Sequence, residues 1–290
     1  MESSKLQTGS RGLRLFFHRL RRQGVPYFGF WMAVIMILIG VAAPIITPYD
    51  PTLMVSEIKF EPPSFQHPFG TDDLGRDVLT RTIYGARISL WVATIALSIA
   101  VILGVPLGLI SGYFGRYVDA AIMRFADIML AFPDVLLALL IIVIIGRGAT
   151  NVGIAIGIAW IPHYARLMRG SVLSVKGQEY VEAARAIGQT SPSILRRVIL
   201  PNSIAPVVVM ATMTISHGIL AEAALSFLGL GTMPPDPSWG LMMNTGRLYL
   251  RTASWIAIFP GIFCAITVLG LALFGDGLND VMNPKLRREG

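Results

Sequence analysis

The sequence predicts an all-α polytopic membrane protein with six transmembrane helices, and three observations carry that reading. Of 290 residues, 54% are hydrophobic and only 14% charged, with a mean hydropathy of +0.64. A soluble domain carries about a quarter charged residues, so the bilayer is the solvent this composition suits. Six stretches, 27–47, 88–111, 125–146, 150–169, 203–225 and 255–275, are long and apolar enough to cross roughly 30 Å of hydrocarbon as helices. With the N-terminus inside, 17 of the 24 Lys and Arg residues fall on the cytoplasmic side and 7 outside. The net charge of +7 therefore reports orientation rather than nucleic-acid binding, and both termini are expected in the cytoplasm.

Taken in order, the chain divides into a basic cytoplasmic N-terminus (1–26), a first transmembrane helix (27–47) and an extracytoplasmic loop (48–86). A core of five helices (87–276) with a cytoplasmic loop at 170–202 follows, then a cytoplasmic C-terminus (277–290). The N-terminus is basic but has no A-x-A-like cleavage site, so it reads as a retained first helix rather than a secretory signal. The outer loop carries Asp72, Asp73 and Asp77 without the spacing or terminal Glu of an EF-hand. An ion-paired cluster with Arg76 and Arg81 is expected there.

The second span has glycines at 104, 108 and 112, and the fourth at 153 and 157, a small-residue spacing that permits close helix packing. The third opens on charged residues, with Asp119 to Asp134 at the inner interface, and Pro133 kinks or starts its helix. That kink suits either a moving part or static packing. The fourth ends in Trp160, His163, Tyr164, Arg166 and Arg169, where His163 is expected to anchor at the interface rather than to ligate a metal. The fifth holds Thr212, Ser216, His217 and Glu222, the densest intramembrane polar set and the candidate lining of a path. The turn-rich stretch after it offers Pro234, Pro235, Pro237 and Trp239 as a pre-organised docking surface. Cys264, the single cysteine, reads as a buried small hydrophobe.

The polar interruption at 178–201 organises the rest. A short helix with Glu179 and Glu182 in its first turn should stop at Gly188. After a turn at 190–192, a second helix, 194–200, should end at Pro201. Such a knuckle offers shape and charge for docking but no nucleophile or metal cluster.

Glu182-Ala183-Ala184, then Gly188, then Val198-Ile199-Leu200-Pro201 resemble the cytoplasmic "EAA" loop of bacterial ABC importer permeases, with Val198 in place of the usual Ile. The string from Gly70 to Leu79, with Tyr84-Gly85-Ala86-Arg87, resembles the dipeptide, oligopeptide and nickel branch, as its C-type permease. So do Asp127-Ile128 with Phe132-Pro133, the stretch 228–240 with Met233 and Ser238 in place of Gln and Glu, and the closing stretch with Asn279 and Asn283 in place of Arg and Asp.

The resemblance implies a type I ABC importer permease fold like that of the methionine importer, in a bacterial inner membrane. It also implies a second homologous permease, two ATP-binding subunits and an extracytoplasmic substrate-binding protein as partners. Tyr180, Glu182, Ala183, Ala184, Gly188, Leu200 and Pro201 would form the ATPase-coupling surface, and 234–239 the contact with the binding protein. Short peptides are the cargo it suggests first, with nickel or a metal chelate as the alternative. A membrane scaffold that recruits a different cytoplasmic partner is the reading from another class.

No G-x-x-x-x-G-K-[ST] motif is present, so ATP and Mg are expected on partner subunits and no cofactor in this chain. The four histidines, 18, 67, 163 and 217, are scattered over different spans and sides, so no catalytic pair and no metal site is proposed.

Overall fold

The computed structural model describes residue 21 and residues 23–282. The rest of the N-terminus, including 1–20, and the closing stretch 283–290 lie outside the described residues, as does the sequence reading of them. The described chain is helical: α1 Val25–Ile46, α2 Val78–Phe114, α3 Arg116–Leu130, α4 Asp134–Ile145, α5 Ala149–Lys176 and α6 Glu179–Ala186. Then come α7 Ser191–Ile194, a π-helical turn Leu195–Ile199, α8 Leu200–Ser203, α9 Ala205–Phe227, α10 Trp239–Gly246 and α11 Trp255–Met282. Among the described residues the only β pairing is an isolated bridge between Thr71 and Asp77.

By length and composition α1, α2, α9 and α11 can each cross a bilayer, and α3 with α4 make a fifth if that bent pair is one span. One sequence expectation is corrected here. The span read at 125–146 is two helices meeting at 90°. Pro133 is the hinge: it holds an extended ψ of 135° as the residue before α4, and it has no N–H to continue α3. The span read at 150–169 is helical throughout, within α5, and Asn151, His163, Tyr164 and Arg166 make it more polar than the four apolar helices. Neighbouring helices bury one side of it, from Val152 to Val175.

Two boundaries also move. α2 starts at Val78, ten residues before the predicted span and inside the stretch read as outer loop. Asp77 is its cap, accepting the Thr80 N–H at 2.7 Å and the His67 Nδ1 proton at 2.9 Å. α11 runs to Met282 through the glycines of 274–280. Gly275 and Gly277 lie inside α11, where a Cβ on them would lie 2.9 Å from Thr212 Oγ1 and 2.1 Å from Pro26. They are close-packing positions against α9 and the start of α1.

The core of the bundle is the parallel pair α2 and α5, whose contacts advance together from Ile95 with Gly153 to Gly112 with Val172. A Cβ on Gly108 would lie 2.2 Å from the Ala165 carbonyl oxygen, and one on Gly104 2.6 Å from that of Ile161. On the other helix, Gly153 and Gly157 meet Ile95 and Ile99 at 2.9 and 2.8 Å in the same sense. The glycines spaced four apart thus mark where two backbones touch along most of their length.

Outside the spans, Arg76 pairs with Asp72 at 2.7 Å and Asp73 at 3.6 Å, and Arg81 reaches Asp72 at 3.5 Å. The acidic loop is therefore the ion-paired cluster the spacing suggested. Burial, and then the charge of Asp72, pushes the Asp73 carboxyl above its ordinary range.

Candidate functional site

The knuckle is built from the turn upward. Gly188 sits at φ +80°, a left-handed conformation that costs a non-glycine residue about 1–2 kcal/mol. There its N–H donates to the Arg185 carbonyl at 2.9 Å, and the Gln189 N–H donates to that of Ala184 at 3.1 Å. This paired closure of α6 is a Schellman motif, and it sends the chain sharply into α7.

Val181 and Ala184 face inward, packed with Tyr113, Val175, Ile194 and Ile199 in one apolar cluster. That cluster is continuous with Met168 and Val172 of α5, so the knuckle shares a core with the α2/α5 pair. Polar contacts add to it. Tyr113 donates to Ser191 at 3.3 Å, Lys176 donates to the Tyr113 carbonyl, and the Arg185 guanidinium lies 5.5 Å from the Tyr113 ring centre. One turn away, Arg169 donates twice to Asp119, at 2.5 and 2.6 Å, tying α5 to α3.

What remains outward is Tyr180, Glu182, Ala183, Ile187 and Gly188, all exposed, with Ile187 at 75%. Ala184 is corrected: it is 6% exposed, and its small side chain serves packing within this chain. Leu200 and Pro201 do not close a helix. Leu200 donates from its N–H to Leu195 in a π turn, and Pro201 lies in the first turn of α8, where its missing N–H costs nothing.

Of the four candidate path residues, His217 opens onto a cavity, which it shares with Asp134, Trp160 and Leu220. Thr212 donates to Val209 of its own helix, and Ser216 is 4% exposed and donates to Val268 of α11 at 3.0 Å. Glu222 is corrected most clearly. It is fully buried and accepts from Ser89 of α2 at 2.9 Å, Ser226 at 2.7 Å and Thr232 at 3.2 Å. A carboxylate lining a path would be open to it; this one joins α2, α9 and the outer segment.

The outer surface is half of what the sequence suggested. Pro234 and Pro235 are exposed, whereas Pro237 is buried and Trp239 is fully so. Trp239 donates to the Thr82 carbonyl at 2.8 Å and packs on Gly85, so it anchors α10 to α2 rather than to a partner.

The sequence did not reveal that Asp134 and His163, 29 residues apart, meet at 3.0 Å. Trp160 stands between the two histidine rings, 5.1 Å from His163 and 5.6 Å from His217. The hinge at Pro133 and the i, i+3 spacing of Trp160 and His163 were the available signals.

The described chain is thus a helical membrane bundle that carries, outside its apolar helices, a short glycine-closed helix with an exposed outer face. Residues 104–288 match the family described as binding-protein-dependent transport system inner membrane component, and the chain belongs to it. Residues 13–63 match the N-terminal TM domain of oligopeptide transport permease C.

Among curated relatives, the chain is 42% identical over 271 residues to the dipeptide transport system permease protein DppC of Alkalihalophilus pseudofirmus, covering 93% of this chain and 89% of that one. It is 41% identical over 278 residues to the glutathione transport system permease protein GsiD of Escherichia coli O6:K15:H31, covering 94% and 90%. The fold is like that of a chain of the MetNI methionine ABC transporter in its inward facing conformations, with a TM-score of 0.56 and 20% identity over 71% of this chain and 96% of that one. The expected type I importer permease fold is thus met.

Proposed function

We propose that this chain is one permease subunit of an ATP-driven importer of short peptides, pairing with a second, homologous permease. Two ATP-binding subunits would dock on the exposed face of α6, and an extracytoplasmic binding protein would deliver cargo near Pro234 and Pro235. In this reading both termini and the knuckle face the cytoplasm, as the distribution of Lys and Arg supports. The observation that carries it is the shared core of α6 with α2 and α5. A push on the outer face of α6 has a packed, rigid route into α2, the longest described helix, and α5, which suits alternation of access by rigid-body motion. ATP and Mg act on the partner subunits, and this chain contributes no catalytic group.

The cargo reading rests on the relatives, whose names specify dipeptide, peptide and glutathione. In a strain lacking the chain, uptake of labelled dipeptide is expected to fall to background and return with the wild-type gene, while nickel uptake stays unchanged. Restoration of nickel but not dipeptide uptake would contradict the proposed cargo.

A further inference from the structure

The cavity of about 290 Å³ between α4, α5 and α9 is lined by Asp134, Trp160 and His217 among apolar neighbours that include Ala138, Ile156 and Leu220. Its depth follows from helix lengths. Asp134 begins the 12-residue α4, and Trp160 lies 11 residues into α5, so along either helix both are about 17 Å from the turn that joins them. That is about half of a 30 Å hydrocarbon layer. Ionisable side chains at such depth are costly and normally face a cavity with a function.

The chemistry of the lining is one-sided. Asp134 uses Oδ1 to accept from His163 Nε2 at 3.0 Å, and no described residue donates to its Oδ2. His217 donates from Nδ1 to the Met213 carbonyl at 2.8 Å, which leaves Nε2 as an acceptor. The Trp160 ring adds a face that attracts cations. No Lys or Arg lines the cavity. Asp134, His163 and His217 also form no metal-holding group of three among the described residues. A carboxylate or phosphate would face the Asp134 carboxylate with no cationic side chain in the lining to offset it, the Trp160 indole N–H being a neutral donor. An ammonium group with an apolar side chain beside it would satisfy the acceptors and fill the rest, and the volume suits one residue rather than a whole peptide.

We propose that this cavity is a selectivity station in the membrane that takes the N-terminal residue of a short peptide, its free ammonium on Asp134 and its apolar side chain against Ala138, Ile156 and Leu220. The inference rests on the peptide-import reading and adds to it a requirement for a free amino terminus.

The test is equilibrium binding of radiolabelled leucyl-leucine and N-acetyl-leucyl-leucine to the importer complex, purified without its extracytoplasmic binding protein. Wild-type complex is expected to bind leucyl-leucine saturably. Asp134→Asn, which keeps an acceptor for His163 but removes the charge, should weaken binding about tenfold or more, the weight of one charge-assisted hydrogen bond. Leu220→Trp, at a position 53% exposed on the cavity wall, should fill the space and abolish binding. The acetylated peptide should bind wild type no better than leucyl-leucine binds the Asp134→Asn complex.

Absence of saturable binding to wild type, wild-type affinity in both variants, or equal affinity for the acetylated peptide would overturn the station. If Asp134→Asn fails to assemble, Leu220→Trp alone decides. Cellular uptake separates the two readings: loss of the station with dipeptide uptake intact removes only this inference, whereas failure of the gene to restore dipeptide uptake removes the cargo reading beneath it.

Discussion

Gly188→Val is expected to abolish peptide uptake while the chain still inserts and still assembles with its ATPases. The space around Gly188 is empty, since a Cβ there meets nothing within 4 Å, so the effect comes from the backbone alone. At φ +80° a β-branched residue is strained by about 2 kcal/mol or more. That shifts the turn between conformers by roughly thirtyfold. The Schellman closure opens, α6 rotates relative to α7, and the outward face of Tyr180, Ala183 and Ile187 no longer presents one surface. The bundle itself does not need that turn, because the α2/α5 packing lies wholly outside it. ATPase activity of the purified complex should therefore persist with its stimulation by substrate lost, and labelled dipeptide uptake should fall about tenfold or more. Normal uptake in this variant would show that the turn has no part in coupling.

Glu222→Ala is expected to produce the largest loss of stability. It removes the common acceptor of Ser89, Ser226 and Thr232 and leaves three buried hydroxyls facing a void. Interhelical hydrogen bonds within membranes average about 0.6 kcal/mol and reach about 1.7, so three of them with the void cost about 2–4 kcal/mol. For a chain of this size that lowers the melting temperature in detergent by about 5–10 °C. Glu222→Gln keeps an acceptor for Ser226 and Thr232 and can donate to Ser89, and should recover most of the loss. A Gln variant as unstable as Ala would mean that charge, rather than hydrogen bonding, holds the joint.

The two predictions also mark how far the sequence could be read. Gly188 was legible because a helix end, a left-handed turn and a following Ser/Pro stretch are local events written in consecutive residues. The glycine spacing of α2 and α5 was legible for a similar reason, since one face of one helix repeats every four residues. The role of Glu222 was not, because its partners lie 133 residues back at Ser89 and 10 residues on at Thr232. Only the folded chain says which of several polar residues on α9 face a helix and which face a cavity. Trp239 misled for the same reason: an aromatic beside three prolines reads as a surface anchor until Gly85 is found making room for its ring. The 90° bend at Pro133 was half legible, as a break without an angle.

In the proposed importer the exposed face of α6 receives force from a nucleotide hydrolase in another polypeptide. Cys264 is the single cysteine and is buried at 5% exposure, so Ala183→Cys places one reactive thiol on that face. Bifunctional cross-linking of intact cells carrying this variant is predicted to trap an ATPase subunit in a 1:1 adduct whose yield changes when ATP is depleted. Capture of no nucleotide hydrolase, or modification of the thiol by a membrane-impermeant reagent added outside the cell, would contradict the account.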